Sequence, residues 1–138
     1  MGRWPLVLVI GVVIACVILP GPVARATHET SHRFTIFGTV RDGRSFPGQP
    51  LPGREIRFLH AKTDEPWEIV DTQGNPRPRV TTDREGSYSV ILHVHDANLG
   101  ATVKIVVDGT LKELVLTFDP RDQRTERRTR VDIVVFPK

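Results

Sequence analysis

Two histidines, one residue apart, are the clearest candidates for chemistry in this chain. His93 and His95 are followed directly by Asp96. If they belong to a β-strand, both imidazoles lie on one face, because alternate residues of a strand point the same way. Such a pair, with Asp96, His60 or a histidine of the N-terminal tail as third ligand, could begin a zinc or copper site. The alternative is a pair of solvent-facing histidines at the end of a strand.

An arginine-rich segment, residues 121–130, is the second candidate. Its five arginines stand against two acidic residues. Guanidinium groups bind carboxylates and phosphates through paired hydrogen bonds, so Arg124, Arg127 and Arg128 are candidate contacts for an acidic partner or an anionic lipid surface. The alternative is a solvated loop that keeps the domain soluble.

Trp67 is the third candidate, within a long irregular segment, residues 62–79. An exposed tryptophan there could anchor a protein partner or stack on a sugar ring. The alternative is that Trp67 folds back and covers one end of the domain.

No nucleophile elbow, phosphate-binding glycine loop or Cys-x-x-Cys motif occurs in the sequence. We therefore expect neither catalysis nor a cofactor.

The elements that must position these residues are β-strands. Residues 87–94 follow a polar turn and alternate strictly, with Tyr88, Val90, Leu92 and Val94 on one face. Further strands are predicted at 34–40, 54–60, 102–107, 114–118 and 131–136, with shorter ones near 67–70 and 79–82. The Asp108-Gly109 pair favours a hairpin turn. Some seven strands without helical periodicity predict an all-β fold, a single antiparallel β-sandwich of Greek-key type.

The first 26 residues predict export. A basic start precedes an apolar run, and Ala24-Arg25-Ala26 is typical of a signal-peptide cleavage site. Lipidation at Cys16 and an uncleaved anchor are the alternatives. Residues 27–33 are then expected to form a flexible lead-in and 34–138 one domain. We expect the periplasm or the extracellular space, with membrane contact only through the leader.

Charge gives no indication of nucleic-acid binding. The whole chain has 19 basic and 16 acidic side chains, but Arg3 and Arg25 lie in the leader. Without them, 17 basic side chains face 16 acidic ones, which is not the composition of a basic nucleic-acid surface. Cys16 is the only cysteine, so the domain must be held together by an apolar core rather than by disulfides.

Four motifs carry a family resemblance. They are Gly38-Thr-Val-Arg-Asp42, Gln49-Pro-Leu-Pro-Gly53, Ile56-Arg-Phe58 and Thr82-Asp-Arg-Glu-Gly-Ser-Tyr88. In this order they resemble the carboxypeptidase regulatory-like domain, a transthyretin-like (prealbumin-type) β-sandwich common in secreted bacterial proteins. The resemblance covers residues 34–94 best and implies a non-catalytic fold used for stability, attachment or binding. The long segment 62–79 and the arginine-rich segment depart from the family's usual pattern.

These observations together predict a binding or assembly module of the cell envelope. Its partner is expected to be another envelope protein or complex, and not nucleic acid. One alternative is a small periplasmic metal-binding protein that uses His93 and His95. A further alternative is a carbohydrate-binding module that uses Trp67.

Overall fold

The computed structural model describes residues 30–138. The predicted leader, with its cleavage site after Ala26 and the alternative at Cys16, lies outside the described residues. Residues 30–138 contain nine β-strands and no α-helix. The strands are β1 (Ser31–Asp42), β2 (Glu55–His60), β3 (Ile69–Val70), β4 (Val80–Thr81), β5 (Ser87–His95), β6 (Thr102–Val107), β7 (Thr110–Val115), β8 (Arg127–Arg130) and β9 (Ile133–Val135). A short 3-10 turn, Asp96–Asn98, follows β5. No helix in this part of the chain is long and apolar enough to cross a membrane.

The larger of the two sheets is built around β1 and β5. These strands pair antiparallel over nine residue pairs, from Ser31 opposite His95 to Thr39 opposite Ser87. β3 pairs with the other edge of β5. β8 and β9 both pair with β1 and run parallel to it. β1 therefore lies at the centre of this sheet.

The smaller sheet has the order β4-β2-β6-β7, and its neighbouring strands are antiparallel. β6 and β7 form a hairpin across Asp108 and Gly109, whose φ angles are 46° and 81°. A two-residue type I′ turn requires positive φ at both positions. The Asp-Gly pair therefore supplies the turn that the sequence predicted.

An apolar core lies between the two sheets. The rings of Phe58 in the smaller sheet and Tyr88 in the larger one are 6.3 Å apart. All four inward positions predicted for β5 are buried, as are Phe34, Ile36 and Val40 of β1. Burying alternate apolar side chains from both sheets is the main stabilising term of a sandwich. The prediction of an all-β fold is confirmed, with two sheets facing each other.

Three features differ from the sequence-based expectation. Ser31, His32 and Arg33 belong to β1 rather than to a flexible lead-in. The arginine-rich segment is not wholly a loop, because its last four residues form β8. The pairing is not purely antiparallel, because the chain leaves β7 in the smaller sheet and returns beside β1 in the same direction.

Candidate functional site

The candidate residues of β5 lie on the outer face of the larger sheet. Because Leu92 and Val94 point into the core, His93 and His95 point away from it. Arg33 of β1 is paired with His93, so its side chain belongs to the same outer face. The predicted placement of the two histidines side by side is therefore confirmed.

His93 and His95 contact each other and one carboxylate. Their ring centroids are 4.9 Å apart. Nδ1 of His93 lies 2.9 Å from a carboxylate oxygen of Glu68. Nδ1 of both histidines is buried and forms no hydrogen bond within residues 30–138, so Glu68 meets His93 as an ion-pair contact alone. Glu68 was not a candidate from the sequence, because it is 25 residues away and alternation does not reveal which strands are neighbours.

The other proposed metal ligands are engaged elsewhere. Asp96 is hydrogen-bonded to Nε2 of His32, whose side chain is buried beside Phe118 at a ring distance of 5.2 Å. His60 stacks on Trp67, with ring centroids 3.7 Å apart. In the described range 30–138, no group of three or more His, Cys, Asp or Glu side chains is arranged to hold a metal ion. Among the described residues, the two imidazoles have the Glu68 carboxylate beside them, but these three side chains do not form a group that could hold a metal ion.

Trp67 lies inside the sandwich. Its side chain is only 4% exposed and belongs to the core. Its backbone N–H donates to the carbonyl of Phe58 at 2.9 Å, which holds the segment before β3 against β2. This corrects the expectation of an exposed anchor or sugar-stacking residue. Trp67 folds back over the core, which is the alternative that the sequence left open.

The three candidate arginines differ in their exposure and in the groups that they contact. Arg127 is half-buried, donates to the backbone carbonyls of Asp119 and Asp122, and lies 5.4 Å from the centre of the Phe118 ring. Arg128 is exposed and lies 4.7 Å above the ring of Phe37. Arg127 therefore stabilises its own loop, while Arg128 has its guanidinium on the surface.

Arg124 is exposed, and its position is fixed through the backbone. Its N–H and that of Thr125 donate to the carboxylate of Asp122 at 2.9 and 3.0 Å. Hydrogen bonds from Thr125, together with that from the Arg124 backbone, lower the pKa of Asp122 to about 2. The turn that presents the Arg124 side chain is thus built on an ionised carboxylate.

A groove of about 470 Å³ joins the arginine-rich segment to the outer face of the larger sheet. We call it the cationic groove; it is lined by Arg33, Thr35, Thr72, Ile91, Arg124 and Arg127 among others. Arg33 is held across it by a 2.8 Å hydrogen bond to the carbonyl of Thr72. Glu126 is the one carboxylate in its lining, against three arginines. The groove is therefore suited to an anionic group, and Arg33 is the member that sequence reasoning missed.

Comparison with known proteins gives no further guide, because neither the protein-family models nor the curated proteins contain a match to this chain.

Proposed function

We propose that this protein is a non-catalytic β-sandwich module of the cell envelope that binds an acidic segment of another envelope protein in the cationic groove. The observation that carries the proposal is the convergence of three arginines from two distant segments of the chain. Arg33 comes from β1, and Arg124 and Arg127 come from the arginine-rich segment, with Glu126 the single acid among them. Arginines are well suited to bind carboxylates, because the planar guanidinium group presents its donors in a preorganised geometry.

The sequence supports this proposal in two ways. The leader predicts export, and the four motifs resemble the carboxypeptidase regulatory-like domain, which implies attachment or binding rather than catalysis. The chain outside the leader is nearly neutral, so a local cluster of cations selects a local acidic patch rather than a long polyanion. The burial of Trp67 removes the main support for a carbohydrate-binding function.

A test of the groove should use Arg33 and Arg124 and leave Arg127 in place, because Arg127 holds the loop. A photo-crosslinking residue at Thr35, in the groove lining, is introduced into the full chain in its native envelope. We expect it to capture a partner, and the double change Arg33→Ser and Arg124→Ser to reduce that capture at least several-fold. Capture should also weaken as salt rises, since exposed charges are screened over about 8 Å at physiological ionic strength.

The matched control removes the same number of charges elsewhere. Arg57 and Arg84 are exposed and outside the groove, so Arg57→Ser with Arg84→Ser should leave the capture unchanged. A crosslinker at Thr81, on the smaller sheet, reports nonspecific capture. Equal capture from Thr81, or no effect of the groove variant, would contradict the proposed function.

A further inference from the structure

Three large apolar side chains are exposed together at the end of the molecule where β1 ends. Phe46 is fully exposed, and Phe136 and Val134 are 68% and 46% exposed. Phe136 and Val134 both pack over Gly43: a methyl group added there would come within 2.7 Å of Val134 Cγ1 and closer to the Phe136 ring. We call Phe46, Val134 and Phe136 the apolar patch. Contiguous exposed apolar side chains of this size mark interaction sites more often than isolated ones do.

The apolar patch borders a concave surface. A groove of about 670 Å³ is lined by residues 41–48 and Val134, within the range of about 300–1,000 Å³ that is common for ligand sites. A groove of this shape accepts side chains from an apposed segment.

The charge around this groove is positive. Arg41 and Arg44 both line it, and Asp42 is its single acid. Asp42 is bound by Arg44, whose Nε donates to the carboxylate oxygens at 3.1 and 3.0 Å. Arg41 donates to the carbonyl of Gly48 at 3.0 Å and forms no ion pair with any of residues 30–138. The guanidinium of Arg41 is therefore not neutralised by a neighbouring carboxylate.

We infer that the apolar patch docks a segment of a different protein that carries apolar side chains flanked by acidic residues. The apolar side chains would occupy the groove beside Val134 and Phe136, and the acidic ones would meet Arg41. This inference rests on the proposal that the domain is a binding module, and it adds a second surface to the cationic groove.

Two other occupants fit the surroundings of the patch less well. β1 runs for 12 residues from Ser31 to the patch, which is about 40 Å at 3.3 Å per residue. A membrane that held the N-terminal segment would thus be nearer the opposite end of β1. A second copy of this chain offers Leu111 and Val115 as exposed apolar side chains, but the acid between them, Glu113, is paired in register with Lys104 of β6.

A phage-displayed library of random peptides, selected on the purified full chain, tests this inference. We expect enriched peptides that combine apolar side chains with Asp or Glu, and a loss of affinity of at least tenfold for Phe136→Ser and for Phe46→Ser. The matched control is Leu111→Ser, which removes an exposed apolar side chain on β7 and should leave affinity unchanged. Arg41→Glu should weaken the same peptides, and Arg57→Glu should not.

The remaining outcomes each overturn the inference. Peptides whose affinity is the same for Phe136→Ser and the original chain would show that the patch is not their site. Self-association in sedimentation that is lost in Phe136→Ser would assign the patch to a second copy. Binding to phosphatidylglycerol vesicles that is lost in Phe46→Ser would assign it to lipid. The Arg33→Ser, Arg124→Ser variant must retain peptide affinity, which separates failure of this surface from failure of the cationic groove.

Discussion

At the scale of single residues, Tyr88 links the core to the C-terminal part of the chain. Its ring packs near Phe58 in the opposite sheet, and its hydroxyl donates to the carbonyl of Val131 at 2.6 Å. Burial, and then the charge of Asp132, raises the pKa of the Tyr88 hydroxyl above its usual range. The hydroxyl therefore stays protonated and remains a donor across the ordinary pH range.

Removing only that hydroxyl should have a measurable cost. Tyr88→Phe leaves the Val131 carbonyl without this donor, so we expect a loss of about 1–3 kcal/mol in the free energy of unfolding. Tyr88→Ala, which also removes a buried ring, should cost about 3–5 kcal/mol. Urea denaturation measures both. Ser89→Ala, on the outer face one residue later, is the control and should change little; a cost for Ser89→Ala equal to that of Tyr88→Ala would reverse the assignment of faces.

The sequence predicts the face of a side chain better than its neighbours. Alternation along β5 correctly places His93 and His95 together, because both lie on one strand. It does not reveal Glu68 or Arg33, because these come from other strands and their contact depends on pairing. Arg124 and Arg127 have the same chemistry and lie three residues apart. Only the geometry of the loop shows that Arg124 is exposed, whereas Arg127 donates hydrogen bonds to two backbone carbonyls.

At the scale of elements, the arginine-rich segment contains a strand that its charged residues make unpredictable from the sequence. β8 has no apolar residue, and its half-buried positions are Arg127 and Thr129. Arg127 covers Phe118 with its guanidinium, so a charged side chain takes the place of an apolar one. A pattern of apolar alternation cannot predict such a strand. β7 also differs from its predicted bounds, 114–118, for a related reason. Lys112 and Glu113 interrupt the apolar alternation within the strand, while Leu116 and Phe118 are buried after it ends.

The turn before β8 should respond to pH through Asp122. Its pKa in the folded chain is about 2, below the ordinary value of 3.8. Folding therefore favours the ionised form, and the stabilisation of the turn is fully present above about pH 4 and is lost as pH falls towards 2. In an NMR titration, the backbone amides of Arg124 and Thr125 should shift with a midpoint near pH 2.

Asp122→Asn provides the control for this titration. An amide side chain keeps most of the shape but cannot ionise, so the shift of both backbone amides near pH 2 should disappear. A midpoint close to 4 in the unaltered protein would contradict the hydrogen-bonded geometry of the turn.

At the scale of the whole molecule, the fold is closed by the return of the chain from the smaller sheet to β1. β8 and β9 flank a break at Val131 and Asp132, which is fastened to β1 by three hydrogen bonds. Val131 N–H donates to the carbonyl of Phe37 at 2.8 Å. The Thr39 N–H and hydroxyl donate to the Asp132 carboxylate at 2.9 and 3.1 Å. Alternation predicts a last strand at 131–136, but it carries no information on whether the partner strand is parallel, so this closure could not be predicted.

Gly38 makes this closure possible, because it lies where the Val131 carbonyl crosses β1. A methyl group at Gly38 would overlap the Val131 oxygen and lie 2.7 Å from its carbonyl carbon. A glycine within a strand often marks such a close approach of another backbone. The same oxygen accepts the hydrogen bond from the Tyr88 hydroxyl. Gly38 on β1 leaves room for this oxygen, and Tyr88 on β5 binds it.

Gly38→Ala should therefore lower the free energy of unfolding by about 1–3 kcal/mol, the usual cost of overpacking a filled interior. Because the substitution displaces the Val131 carbonyl, it should also weaken the hydrogen bond from Tyr88. In urea denaturation, the double variant Gly38→Ala, Tyr88→Phe should then lose less stability than the two single variants combined, as coupled neighbours do. Gly38→Ala with the distant Leu111→Ser is the matched comparison and should be additive. Additivity in both pairs would mean that Gly38 and Tyr88 do not share Val131, and that the C-terminal strands are held to β1 by other contacts.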